Sequence, residues 1–116
     1  EFIGGPDDQP VLWAWNGAYD WVVLMQLYGR PDDRPEGWPA HLQDLRQWSG
    51  ALGNPHHPTL DPALAHHALE DARWAADVHA ALLAVHRRRR ARAEHRIREH
   101  IIELIREDER RTAGPD

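Results

Sequence analysis

Residues 63–111 contain neither glycine nor proline. No other feature limits the fold as strongly, because a run of that length without a breaker reads as helix. Ala68, Leu69, Ala72, Ala75, Ala76, His79, Leu82 and Leu83 hold one helical stripe, and Ile97, Ile101, Leu104 and Ile105 hold another. One straight helix over the whole run would be about 70 Å long, too long for a single small domain. The sequence therefore predicts a break or bend near the arginine-rich residues 87–98, or a projecting helix that packs on a partner. Two regions follow, 1–86 and 87–116.

The first region alternates short elements with breakers. GGPDDQP (4–10) reads as a loop and VLWAW (11–15) as a short buried strand, with Trp13 and Trp15 on one side of it as core. Asn16-Gly17 ends the strand. From Ala18 to Tyr28 the period turns helical, with Gly29 just beyond. RPDDRPEGWP (30–39) is a loop, HLQDLRQWSGALG (41–53) an amphipathic helix and NPHHPTLDP (54–62) a second loop. The class is α/β. In open α/β sheets the strand–turn–helix junction is where ligands bind.

Composition narrows the setting. At 116 residues and 41% hydrophobic content the chain has material for one core. It has no cysteine, which excludes disulfides and cysteine-held zinc. It shows no signal peptide and no apolar run of about 18 residues, so the expectation is a soluble, cytoplasmic protein without a membrane span. Glu1 in place of a start methionine fits a chain that begins inside a longer protein. Net charge is −8 over residues 1–86, +6 over 87–98 and −3 over 99–116. All 14 basic residues are arginine, a bias that reflects genomic base composition more than phosphate recognition.

Two pieces bear chemistry. In Asn16-x-x-x-Asp20, Gly17 permits a sharp turn and Asp20 opens the next helix, where the helix dipole favours a carboxylate whose oxygens stay open to a cation. The plain alternative is that Asp20 only caps or polarises that helix N-terminus. In HHALEDAR (66–73), His67 and Asp71 share a face if helix begins before residue 66. If His66 instead lies just ahead of the helix, it can swing toward the same cleft as Asp71 and act as a base, since neutral imidazole takes a proton from water. The alternative is a polar helix start with two solvated histidines. Trp21 is either a stacking platform for a base or core.

Taken together and in order, WNGAYD and HHALEDAR resemble the second and third exonuclease motifs of the DEDDh 3′–5′ exonucleases. The likeness is greatest to the small bacterial exoribonucleases that degrade single-stranded or poly(A)-tailed RNA. HLQDLRQ also resembles their intervening segment, and the likeness extends over roughly residues 1–80. It implies an RNase H-like fold with Asp20 and Asp71 as metal ligands and His66, by the His-x-x-x-x-Asp spacing, as general base, His67 being its rival. It implies two divalent ions, Mg²⁺ or Mn²⁺, held by four carboxylates and stabilising the attacking and leaving oxygens of phosphodiester hydrolysis. Asn16, Tyr19, Trp21 and Arg73 fall in the same motifs and are the candidate substrate contacts, with single-stranded RNA the implied substrate.

One departure is serious. The first motif of that family is Asp-x-Glu on its first strand, and this chain contains no Asp-x-Glu. EFIGG aligns with the end of the helix before the second-motif strand, and Asp7 and Asp8 sit in a loop on the wrong side of that strand. The expectation is the C-terminal portion of an RNase H-like exonuclease domain, helix-rich, with one or two strands retained and a long C-terminal helical extension. Such a portion would be inactive alone. The alternative is a non-catalytic nucleic-acid-binding or dimerisation module derived from such a domain. Residues 87–98 either track an RNA backbone or form a solvated face that pairs with the acidic residues 107–109. The Ile97/Ile101/Leu104/Ile105 stripe reads as packing or as the seam of a homodimer.

Overall fold

The computed structural model describes residues 9–114. EFIGG and the loop carrying Asp7 and Asp8 lie outside the described residues. The chain divides into two compact units, Glu1–Leu82 and Leu83–Asp116, so the boundary falls slightly ahead of the change in charge.

The first unit runs β1 (Trp13–Ala14), α1 (Ala18–Gln26), a 3₁₀ turn (Pro31–Asp33), β2 (Gln43–Asp44), α2 (Leu45–Ala51) and the start of α3 (Ala68–Thr112). β1 and β2 pair in parallel, Trp13 opposite Gln43 and Ala14 opposite Asp44. The Gln43 N–H also donates to the Leu12 carbonyl at 2.9 Å. The strand expected over 11–15 is thus only two residues long. Trp15 to Gly17 form a turn, and Asn16 takes a left-handed φ of 57°, which ends the ladder.

α1 begins where expected, its first bond running from the Trp21 N–H to the Gly17 carbonyl at 2.9 Å. It ends at Gln26, two residues short of the expected Tyr28, and Gly29 follows with φ of 80°. Gly17 is required for close approach: a Cβ there would overlap the Leu42 side chain and stand 2.8 Å from the Ala14 Cβ.

The helix expected over 41–53 is shorter, because residues 43–44 are strand. Asp44 holds an extended backbone (φ −107°, ψ 116°), and its carboxylate accepts from the Arg46 and Gln47 N–H groups. That N-cap geometry forbids helix upstream. Loop 54–62 has no regular structure, as its prolines predict.

α3 starts at Ala68 because residues 62–66 form a turn and His66 takes φ of 68°. The break expected near residues 87–98 is absent, and α3 is one helix through Thr112. Arginine, alanine and glutamate are all strong helix formers, and Arg90 pairs with Glu94 one turn on at 2.8 Å. The second unit consists of the later part of this helix and a short tail.

The buried apolar side chains are Met25, Leu45, Leu52, Val78 and Leu82, with Ser49 beside them. The inner face of α3 differs from the expected stripe. Val78 and Leu82 are buried, Trp74, Ala75 and His79 are half-buried, and Leu69, Ala72 and Ala76 face solvent. Among the described residues no helix is long and apolar enough to cross a membrane.

Candidate functional site

Two aromatic clusters fix how the start of α3 lies against β1. Trp13 sits between Trp48 of α2 and His79 of α3, with ring centres 5.0 and 4.9 Å away. Trp48 and His79 are themselves 5.6 Å apart. Trp15 meets Trp74 of α3 edge-on at 5.3 Å and His57 at 5.1 Å. The Trp74 indole N–H donates to the Pro58 carbonyl at 2.8 Å, tying loop 54–62 to the same place. Trp13 and Trp15 both pack against α3, but each is only half-buried, and Trp15 lies in the turn rather than in the strand expected to place it in the core.

Contacts progress from Trp13–His79 to Trp15–Trp74, so α3 runs antiparallel to β1. Residues ahead of Trp74 on α3 continue past the C-terminal end of β1, the end from which Asn16-Gly17 and α1 depart. Asp71 lies just under one turn ahead of Trp74, with His67 and His66 ahead of it.

Asp20 is exposed in the first turn of α1, and that helix has no side-chain cap. Among the described residues its carboxylate makes no hydrogen bond or ion pair, so hydrogen-bonded capping does not account for it. The half-buried Asp71 carboxylate is likewise unengaged among the described residues. The His67 carbonyl accepts the Asp71 N–H at 2.9 Å, which makes His67 the residue that opens α3. Helix does not begin before residue 66, so the shared helical face of His67 and Asp71 is not formed. His66 lies ahead of the helix, exposed, the arrangement in which its ring is free to turn.

The expected substrate contacts divide. Tyr19 is 82% exposed. Trp21 is half-buried and lines a groove of about 380 Å³ with Gly17, His41, Leu42, Asp44 and Gln47. Asn16 lies in the turn, its N–H directed at the Asp44 carboxylate at 3.4 Å. Arg73 pairs with Glu70 at 2.8 Å on the surface of α3.

Asp44 is the residue that sequence reasoning missed. Its carboxylate caps α2 through the Arg46 and Gln47 N–H groups at 2.8 and 3.2 Å and takes the Gly17 N–H at 3.0 Å. Partial burial pushes the carboxyl up, but the N–H donors of Gln47, Gly17, Arg46 and Asn16 together outweigh burial and hold it below the ordinary 3.8. One side chain thus locks the turn that aims α1, and with it Asp20, to the start of α2. The signal was present: an aspartate directly ahead of an apolar helical run is an N-cap pattern.

Among the described residues no three or more His, Asp or Glu side chains gather as a metal-binding group. Mg²⁺ is ordinarily held by one or two carboxylates, with water and phosphate oxygens filling the rest of its shell, so the unengaged carboxylates of Asp20 and Asp71 suit its donor chemistry.

No protein-family model matches the chain. Two curated proteins of Mycobacterium tuberculosis, from strains CDC 1551 and H37Rv, are each named a 3′-5′ exoribonuclease and are each 44% identical to the chain over 66 residues. The matched segment takes in 57% of this chain and 39% of each relative. The chain therefore spans well under half the length of the curated relatives it matches.

Proposed function

We propose that this chain carries the second- and third-motif residues of a 3′–5′ exoribonuclease that shortens single-stranded RNA by metal-assisted phosphodiester hydrolysis, on a DEDDh, RNase H-like plan. The observation that carries the reading is the Trp15–Trp74 contact, which brings the first turn of α3 to the end of β1 where α1 departs. The names of the two mycobacterial relatives support the same reaction class.

Asp20 and Asp71 are the metal-facing carboxylates in this reading, and both are unengaged among the described residues. Bound divalent ions, Mg²⁺ or Mn²⁺, would supply charge stabilisation of the reacting oxygens. The activity needs further carboxylates beyond Asp20 and Asp71. His66 takes the proton of the attacking water, a role its exposed position ahead of α3 leaves open. Trp21, facing the groove beside Gln47, offers an aromatic surface on which a base stacks.

Mn²⁺ titration followed by NMR tests the pairing of the two acids. Amides of residues 18–22 and 69–72 are expected to broaden together, and Asp71→Asn to abolish both effects. If one segment broadens alone, or if Asp71→Asn leaves the Asp20 region broadened, the two acids do not share an ion and the reading fails.

The seven arginines of residues 87–98 support a second reading, a non-catalytic module that binds nucleic acid. It predicts RNA binding that falls steeply with salt and does not respond to Mn²⁺.

A further inference from the structure

The second unit, Leu83–Asp116, holds a helical stretch and no other regular element among its described residues. Ile97, Ile101, Leu104 and Ile105 are 60, 49, 50 and 53% exposed on it. Their spacing of i, i+4, i+7 and i+8 places them on one face, and nothing in this unit covers that face.

The charges along the same stretch are segregated. Residues 87–98 hold seven arginines and one glutamate, and residues 99–116 hold six acids and three arginines. Ion pairs within the helix use few of them: Arg90 with Glu94, and Glu103 with Arg106 and Arg110. Glu107, Asp108 and Glu109 form no ion pair among the described residues, and neither do the other arginines of 87–98.

A polyanion would meet the arginines but would leave the isoleucine face in water and be repelled by the acids that follow. A second copy of the chain accounts for both features, in one orientation only. Side by side and parallel, two blocks of net +6 would face each other. Antiparallel, the basic residues of one copy lie along the acidic residues of the other, and the Ile97–Ile105 faces meet between them. We propose that the helical stretch within residues 87–112 is the seam of an antiparallel homodimer of this chain. The apolar seam covers under three turns, shorter than the three or four heptads of a robust coiled coil. Association is therefore weak and sensitive to salt.

Sedimentation equilibrium on the whole chain, from about 1 µM to about 200 µM, is expected to show dimer growing with concentration. Raising NaCl from about 50 mM to about 500 mM is expected to weaken the dimer several-fold. Ile101→Asp, at a half-exposed position, is expected to be monomeric throughout with unchanged helical circular dichroism. The chain has no cysteine, so orientation is read by crosslinking. Mixed single variants Arg87→Cys and Thr112→Cys are expected to form the mixed disulfide faster than either symmetric one. A wild-type monomer at the highest concentration, a dimer that survives Ile101→Asp, or a dominant Arg87→Cys self-crosslink each overturns the proposal. A monomer that binds oligoadenylate equally well with or without Ile101→Asp also overturns it and assigns the arginines to RNA.

Discussion

Asp44 carries more of the local structure than any other single side chain. It caps α2 and holds the Gly17 N–H, so it loses several backbone partners at once when truncated. Asp44→Ala is expected to cost about 2 kcal/mol in urea unfolding, above an ordinary N-cap loss of about 1 kcal/mol. Its folded-state carboxyl lies below the ordinary 3.8, so the charge contributes fully above that value and the contribution drains as pH falls through the lower folded value. The stability gap between wild type and Asp44→Asn should accordingly hold steady at neutral pH and shrink as pH falls below 3.8. His66 makes the opposite case. It holds φ of 68°, a conformation that costs a side-chain-bearing residue about 1–2 kcal/mol. His66→Gly should therefore stabilise the chain by about 0.5–1 kcal/mol despite the flexibility of glycine. A loss of stability instead would mean that the ring makes contacts that offset the strain. A residue kept in a strained position at the proposed site fits a chemical role for that ring.

At the scale of elements, the helices and β1 were legible in the sequence and β2 was not. The absence of breakers over 63–111 announced α3, and Gly29 announced the end of α1, because periodicity and breakers are local signals. β2 was invisible. Two residues of strand create no period, and Gln43 and Asp44 pair with β1 only through a crossover that local sequence does not encode. The sequence leaves the start of α3 open on either side of His66 for a related reason: alanine and leucine over 63–65 favour helix, but the turn fixed by the Asp61 carboxylate, which accepts the Ala63 N–H at 2.9 Å, overrides them. The sequence singles out Asp20, Asp71 and His66 as candidates, while the placement of the start of α3 against the turn after β1 depends on Trp15 meeting Trp74, a contact far apart in sequence. Trp74→Ala removes that ring contact and the hydrogen bond to Pro58. It is expected to cost about 2–3 kcal/mol, less than the roughly 3–5 kcal/mol of a buried tryptophan because this one is only half-buried. Amide exchange should rise first in residues 68–72, where α3 is pinned, and an unchanged exchange pattern there would show that the contact does not anchor the helix start.

The molecule as a whole buries little. Among the described residues the buried apolar side chains number five, all in the first unit, while Tyr19, Val22, Val23 and Leu27 on or beside α1 are more than half exposed. The second unit contributes a helical stretch on which Ile97, Ile101, Leu104 and Ile105 are 60, 49, 50 and 53% exposed. Heat capacity of unfolding tracks apolar surface removed from water, and an ordinary globular chain of this length gives about 1.5 kcal/mol/K. The value here should fall well below that, because roughly the last quarter of the sequence exposes little new apolar surface when its helix melts. Calorimetry on Ile101→Asp, which removes the contribution of self-association, isolates the quantity. Wild type at high concentration should then show a larger value than the variant, the difference reporting the isoleucine face buried between copies. A heat capacity of ordinary size in the monomeric variant would mean that the chain closes over its α1 and distal α3 faces in solution. Equal values in the two proteins would separate the small core, which rests on residues within Glu1–Leu82, from the seam, which would then bury nothing.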